Sequence, residues 1–156
     1  MRCQAMDELA VPGSPEVASV GGPDSLDKLL GTSDVVAVCC PLTEATRHLF
    51  DDRAFGLMRP GAILVNVTRG EIVDGDALVR ALTNGQLGGA ALDVAPQEPL
   101  PSDHPLWKLD NVVMTPHTAG ASQHRAGRNI ARFCENLRRL RDGRELEGVV
   151  DKKLGY

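Results

Sequence analysis

The chain has 156 residues, 42% of them hydrophobic, with 17 Lys/Arg against 21 Asp/Glu for a net charge of −4. That is enough for one domain with a real core and short for two. No apolar run reaches the roughly 18 residues of a membrane span and no segment has the make-up of a signal peptide, so the expectation is a cytoplasmic protein that does not enter a membrane.

In chain order, Met1 to Met6 reads as a strand closed by an acid, Asp7, which is how the second strand of a dinucleotide-binding sheet ends. The stretches "VPGSPE" and "GGPD" are surface turns around a short strand. Four further apolar runs follow: Asp34 to Cys40, Ala62 to Val67, Gly88 to Val94 and Asn111 to Thr115. Their Val, Ile, Leu and Ala content predicts fully buried strands of a parallel sheet. Between them, Ser25 to Leu30, Asp51 to Met58 and Asp74 to Gly85 read as helices, the last with Asp74 as N-cap and Gly85 as stop. Strand alternating with helix implies a doubly wound α/β sheet. After Gly120 the pattern becomes one long helix, Ser122 to Arg141, with Ala126, Ile130, Phe133, Leu137 and Leu140 on one stripe and Gly143 as stop. The tail beyond Glu145 is expected to drape over another element.

Charge is uneven along this order. Residues 1–120 carry 8 Lys/Arg against 16 Asp/Glu, and residues 121–156 carry 9 against 5. The basic end is not a nucleic-acid surface on this reading: Arg125, Arg128, Arg132, Arg138, Arg139 and Arg141 interleave with the apolar stripe and have no aromatic platform beside them. The cysteines Cys3, Cys39, Cys40 and Cys134 have neither a disulfide framework nor the C-x-x-C spacing of a zinc site, so reduced thiols and no metal are expected.

Three sites put a charged or titratable group at the C-terminal end of an expected strand, where open α/β sheets bind ligands. Arg69 follows the second of the four apolar runs in "NVTRGEIVD", in a turn that Gly70 permits. Asp93 and Glu98 lie in "LDVAPQEPL", a loop stiffened by prolines 96, 99 and 101. His117 follows Pro116 in "TPHTAG". Taken singly, the arginine reads as a surface residue, Asp93 as a turn former, Glu98 as a solvated loop acid and the histidine as a loop residue. Taken together, they have a chemical logic. An imidazole exchanges protons near neutral pH, a carboxylate bonded to it favours its protonated form and fixes its tautomer, and a guanidinium binds a carboxylate while polarising a carbonyl. That is the equipment for interconverting a 2-hydroxy acid and a 2-keto acid. His48, His104 and His124 have no such context and read as surface residues.

The run from "SDVVAVCCPLTEATRHLF" through "NVTRGEIVDGDALVRALTNGQLGGAALDVAPQEPL" to "HPLWKLDNVVMTPHTAG" resembles the C-terminal two thirds of the nucleotide-binding domain of D-isomer-specific 2-hydroxyacid dehydrogenases. That family includes phosphoglycerate, glycerate and formate dehydrogenases and the glyoxylate and hydroxypyruvate reductases. The resemblance covers about residues 1 to 150 and implies a truncated Rossmann-type parallel sheet with flanking helices and a long C-terminal helix. Residues 1–120 would be the partial dinucleotide-binding domain, and 121–156 the helix and tail that return to the substrate domain in relatives.

By position, the resemblance implies that Arg69 binds the substrate carboxylate, His117 exchanges the proton and Glu98 supports His117. Asp93 would hold the nicotinamide carboxamide, Cys40 and Pro41 would line the adenosine side, Val67 and Thr68 would flank the nicotinamide, and Gly120 would close over it. Asp7 would take the adenine ribose hydroxyls, which favours NAD over NADP because a 2′-phosphate would meet its charge. There is no G-x-G-x-x-G in the chain. The first βα unit and the N-terminal part of the substrate domain are therefore expected to be missing. The implied activity is NAD-dependent interconversion of a D-2-hydroxy acid and a 2-keto acid, with a homodimer or a complementing N-terminal fragment as partner. The alternative is a non-catalytic remnant that serves as an interaction module.

Overall fold

The computed structural model describes residues 1–9 and 11–155, apart from the side chain of Ala18. Short runs of Val, Ile, Leu and Ala bounded by Gly, Asp and Pro form its strands: β1 (Cys3–Met6), β2 (Val17–Gly21), β3 (Val35–Val38), β4 (Ala62–Asn66), β5 (Leu87–Leu92) and β6 (Val112–Met114). Helices α1 (Leu26–Thr32), α2 (Asp52–Leu57) and α3 (Gly75–Thr83) connect β2 to β3, β3 to β4 and β4 to β5. Strands β3, β4, β5 and β6 pair in that order, all parallel, and β1 and β2 pair parallel in a separate two-stranded sheet. Parallel neighbours force every strand to end at the same sheet edge, and this is what collects the loops after β4, β5 and β6.

The helices start where a carboxylate satisfies their free N–H groups. Asp51 Oδ1 accepts from Ala54 N and Asp74 Oδ1 from Ala77 N, each at 2.9 Å. Gly85, at φ +79°, takes the left-handed position just beyond α3 that a Cβ would disfavour. Between α2 and α3, Arg80 clasps Asp52 through two bonds of 3.0 and 2.7 Å.

The chain divides into two units, Met1–His117 and Thr118–Tyr156. In the first, Leu30 of α1, Phe55 of α2, and Leu78 and Leu82 of α3 join Val36, Val38, Leu64, Leu87 and Leu92 of the sheet in one buried cluster. Each such large side chain contributes about 1.5–3 kcal/mol by leaving water. The strands are not buried on both faces, as their composition predicts. Val35 is 53% exposed, Ile63 42% and Val113 66%, because the cluster takes only alternate residues and leaves the other face of β3, β4 and β6 open. The strands are also shorter than the apolar runs, with Cys39, Cys40 and Val67 lying beyond them.

The second unit holds α4 (Arg125–Arg141), which begins three residues later than its pattern predicts. It ends in a Schellman turn: Gly143 N bonds to Leu140 O and Arg144 N to Arg139 O, with Gly143 at φ +66°. The tail returns to this same helix. Glu147 accepts from Arg132 at 2.8 Å and from Arg139, and its backbone is held by Asn136 through two 2.9 Å bonds. Among the described residues, no helix is long and apolar enough to cross a membrane.

Candidate active site at the C-terminal strand ends

Where β4 ends, Asn66 is 1% exposed, one of two buried polar residues among the described residues of the first unit together with Asp93 at 6%. Burying an amide is costly unless its bonds are made, and here they are. Asn66 Oδ1 accepts from the N–H and the hydroxyl of Thr68, each at 3.1 Å, and Nδ2 donates to Arg69 O at 3.0 Å. The side chain thus ties down the turn Val67–Thr68–Arg69. The turn leaves the Arg69 side chain in solvent, with Nη1 donating back to Thr68 O at 2.7 Å.

The next residue explains how this turn meets the loop after β5. A Cβ on Gly70 would lie 1.6 Å from Ala95 O, so only glycine lets the two backbones touch. Ala95 N in turn donates to Glu98 Oε1 at 2.9 Å, and Glu98 Oε2 lies 2.9 Å from His117 Nδ1. Partial burial pushes the Glu98 carboxyl up, but the Ala95 N–H, the His117 contact and the Arg69 charge outweigh it and hold the group below the usual carboxylate range. The Glu98–His117 pair is open to water, with side chains 40% and 45% exposed, so its value is orientation more than stability.

His117 stands at φ +54°, in the left-handed region that is uncommon for a residue with a Cβ. Its N–H bonds to Thr115 O at 3.0 Å, closing a three-residue turn with Pro116 at the centre. Thr115 is itself anchored: its N–H continues the ladder to Leu92 O at 2.9 Å and its hydroxyl donates to Asp93 Oδ1 at 2.5 Å. Glu98 thus engages the Nδ1 side of the ring, and Nε2 is its other nitrogen.

The remaining expected cofactor residues also lie where strands end. Asp7 follows β1, its N–H bonded to Gly21 O at 3.0 Å and its Oδ1 accepting from Leu9 N at 2.9 Å. Beyond β3, burial pushes the Cys40 thiol up, which keeps it protonated and inert at neutral pH, and Pro41 O accepts from Thr46 Oγ1 at 2.7 Å. Val67 is 44% exposed at the mouth of the Arg69 turn. Gly120 falls in the second unit. The residues present suit the adenosine and nicotinamide ends of a dinucleotide, whereas the chain has no glycine-rich loop for the pyrophosphate. Among the described residues, no group of three or more His, Cys, Asp or Glu stands ready for a metal.

Reading the motifs in sequence singles out Arg69, Asp93, Glu98 and His117, but misses Asn66, Thr115 and the Gly70–Ala95 contact. Asn66 did leave a trace, as the one polar residue within an otherwise apolar "AILVNV". Two of the set-aside histidines have structural duties. His104 Nδ1 accepts from Leu106 N at 3.3 Å, and His48, at φ +52°, docks its N–H on Glu71 O at 2.9 Å.

Residues 1–119 match the NAD binding domain of D-isomer specific 2-hydroxyacid dehydrogenases. The chain is 43% identical over 129 residues to a glyoxylate reductase of Thermofilum pendens, covering 83% of this chain and 38% of the relative. Among solved structures it is similar to a D-isomer specific 2-hydroxyacid dehydrogenase from Xanthobacter autotrophicus in complex with NADPH and MES, at TM-score 0.88 and 31% identity, covering all of this chain and 73% of that one. It is likewise similar to an NADPH-dependent glyoxylate/hydroxypyruvate reductase from Sinorhizobium meliloti in complex with NADP and sulfate, at TM-score 0.84 and 30% identity, covering 97% and 48%. The chain spans less than half the length of the curated relatives it matches. With a family domain matched over 1–119 and the Arg, Glu and His motifs at the strand ends, the chain belongs to the D-isomer specific 2-hydroxyacid dehydrogenase family.

Proposed function

We propose that this chain is the cofactor-side half of an enzyme that interconverts a small 2-keto acid and a D-2-hydroxy acid, with glyoxylate or hydroxypyruvate as substrate. The observation that carries the reading is the Glu98–His117 pair at 2.9 Å, one backbone contact away from the Arg69 turn. Arg69 binds the substrate carboxylate and polarises the adjacent carbonyl. His117 gives the proton to the carbonyl oxygen through Nε2, while Glu98 holds the ring in the tautomer that makes this possible. A bound nicotinamide supplies the hydride. Asp93 would orient its carboxamide, with Val67 and Thr68 beside the ring and Cys40 and Pro41 along the adenosine. Asp7 favours NAD, since the 2′-phosphate of NADP would meet a carboxylate at the end of β1. The relatives crystallised with NADPH or NADP make this preference a direct point of test.

The reaction is tested on the chain joined to the N-terminal portion of the Thermofilum pendens relative. His117→Gln should cut kcat about 10²-fold or more with NADH binding nearly intact, the usual scale for losing a general acid. Arg69→Lys should raise KM and lower kcat, because a point charge lacks the planar fork. Glu98→Gln should lower kcat at nearly constant NADH KM, since the amide no longer holds the His117 ring through the 2.9 Å contact at Nδ1. A kcat equal to that of the parent would make Glu98 a loop acid and sink the assignment.

A second reading is supported by the open sheet face: the chain alone serves as an interaction module, pairing with itself or with an N-terminal fragment. Large exposed apolar surfaces mark such interfaces. Light scattering and NADH titration of the 156-residue chain separate the two. A monomer with submicromolar NADH affinity argues against the module. The free cysteines Cys3, Cys39, Cys40 and Cys134 support a reducing compartment, the cytoplasm, in either case.

A further inference from the structure

We propose that Asn66 and Thr115 are positioning residues, joined in a rail of hydrogen bonds that fixes the separation between the anion-binding Arg69 and the proton-exchanging His117. The inference rests on the reading that those two residues carry the reaction. The rail can be followed bond by bond. Arg69 O accepts from Asn66 Nδ2 at 3.0 Å, and Asn66 O accepts from Asp93 N at 2.9 Å. Asp93 Oδ1 accepts from the Thr115 hydroxyl at 2.5 Å, and Thr115 O accepts from His117 N at 3.0 Å. It therefore runs across the ends of β4, β5 and β6, from one functional side chain to the other, through the buried Asn66 and Asp93.

The local conformations give the rail a task. His117 holds a left-handed backbone that persists only where its surroundings over-determine it, and the Thr115 carbonyl closes the turn that does so. Arg69 sits on a turn whose only buried side-chain anchor among the bonds described is Asn66. A hydroxyl or amide lost from the rail leaves its neighbours in place but free to drift, and misplacement by about 1 Å costs on the order of 10²-fold in rate. The two ends differ in what they touch. Asn66 acts on the substrate side through Arg69, and Thr115 acts on the cofactor side through Asp93 and on proton transfer through His117.

The test has two readouts. In the 156-residue chain, amide hydrogen exchange should quicken at least about tenfold at Thr68 in Asn66→Ala but not in the size-matched Asn66→Asp, which keeps the oxygen that accepts from the Thr68 N–H and loses only the donor to Arg69 O, and at His117 in Thr115→Val, with Leu64 and Leu87 unchanged. Thr115→Ser, which keeps the hydroxyl, should restore the parent rate at His117. In the joined enzyme, the Asn66 variants should raise the 2-keto acid KM at least about threefold at constant NADH KM. Thr115→Val should instead raise the NADH KM and lower kcat, with Thr115→Ser again restoring both. Unchanged exchange at both amides, faster exchange spread evenly over β4 and β5, or a serine variant no better than valine would overturn the rail. A parent that reduces no 2-keto acid would overturn the enzyme reading, and the exchange pattern alone would then decide the rail.

Discussion

The two units are held by different forces. Met1–His117 encloses a continuous apolar cluster in which Leu30, Leu64, Leu78 and Leu87 are wholly withdrawn from solvent. In Thr118–Tyr156 no residue of α4 is buried, and Ile130, Phe133, Leu137 and Leu140 are each at least half exposed. Its order comes from the Schellman turn and from carboxylates shared among arginines: Glu135 pairs with Arg138, Arg139 and Arg144, and Glu147 with Arg132 and Arg139. Apolar burial is insensitive to salt and strongly cooperative, whereas exposed ion pairs are weak and screened. The first unit therefore holds its strand ends on a rigid core. The second supplies an amphipathic surface whose apolar stripe is still unspent.

The comparison can be broken most sharply in the core. Leu64→Ala, at a position 0% exposed in the central strand pair, should cost about 2–5 kcal/mol in denaturant unfolding, because the cavity cannot collapse between β4 and the helices. A loss below about 1 kcal/mol would mean the cluster is loosely packed. Glu147→Gln should cost less, on the order of 1 kcal/mol or below, and its effect should shrink as salt rises through a Debye length of about 8 Å at physiological ionic strength. A salt-independent loss would show that Glu147 acts through packing instead. The smallest effect is expected at Glu98. Its carboxyl titrates lower in the folded chain than the ordinary value of 4.5, so it stabilises the fold above that value, and the contribution fades as pH falls through the lower folded value. With the side chain 40% exposed, the difference between parent and Glu98→Gln should stay under about 1 kcal/mol and be confined to pH above that window. An equal gap at pH 3 and pH 7 would exclude this origin.

Local signals account for most of what was legible beforehand. Asp74 and Gly85 bracket α3 because a capping carboxylate and a left-handed glycine act within one turn of the chain, and the same holds for Gly143 at the end of α4. Arg69, Asp93, Glu98 and His117 could be picked out because each follows an apolar run, and parallel strands must all end at one edge. The open face was not legible. A run such as "VVAV" has the same composition whether one or both of its sides are covered, and only the side taken by α1, α2 and α3 separates Val36 from Val35. The rail was hidden for a related reason. Nothing local tells an asparagine that caps a turn from one that faces water, and Thr115 gains meaning only when β5 and β6 pair to bring it to Asp93, 22 residues earlier.

What the sequence by itself determined is therefore the set of elements, their caps and the residue types available for chemistry, since these depend on contacts within a few residues. The tertiary structure decided which sheet face stays open, that the tail returns to α4, that Gly70 meets Ala95, and that Asn66, Asp93 and Thr115 form one line between Arg69 and His117. Each of those outcomes depends on strand register and helix placement, where energies are summed over groups far apart in the chain and no single residue carries the signal.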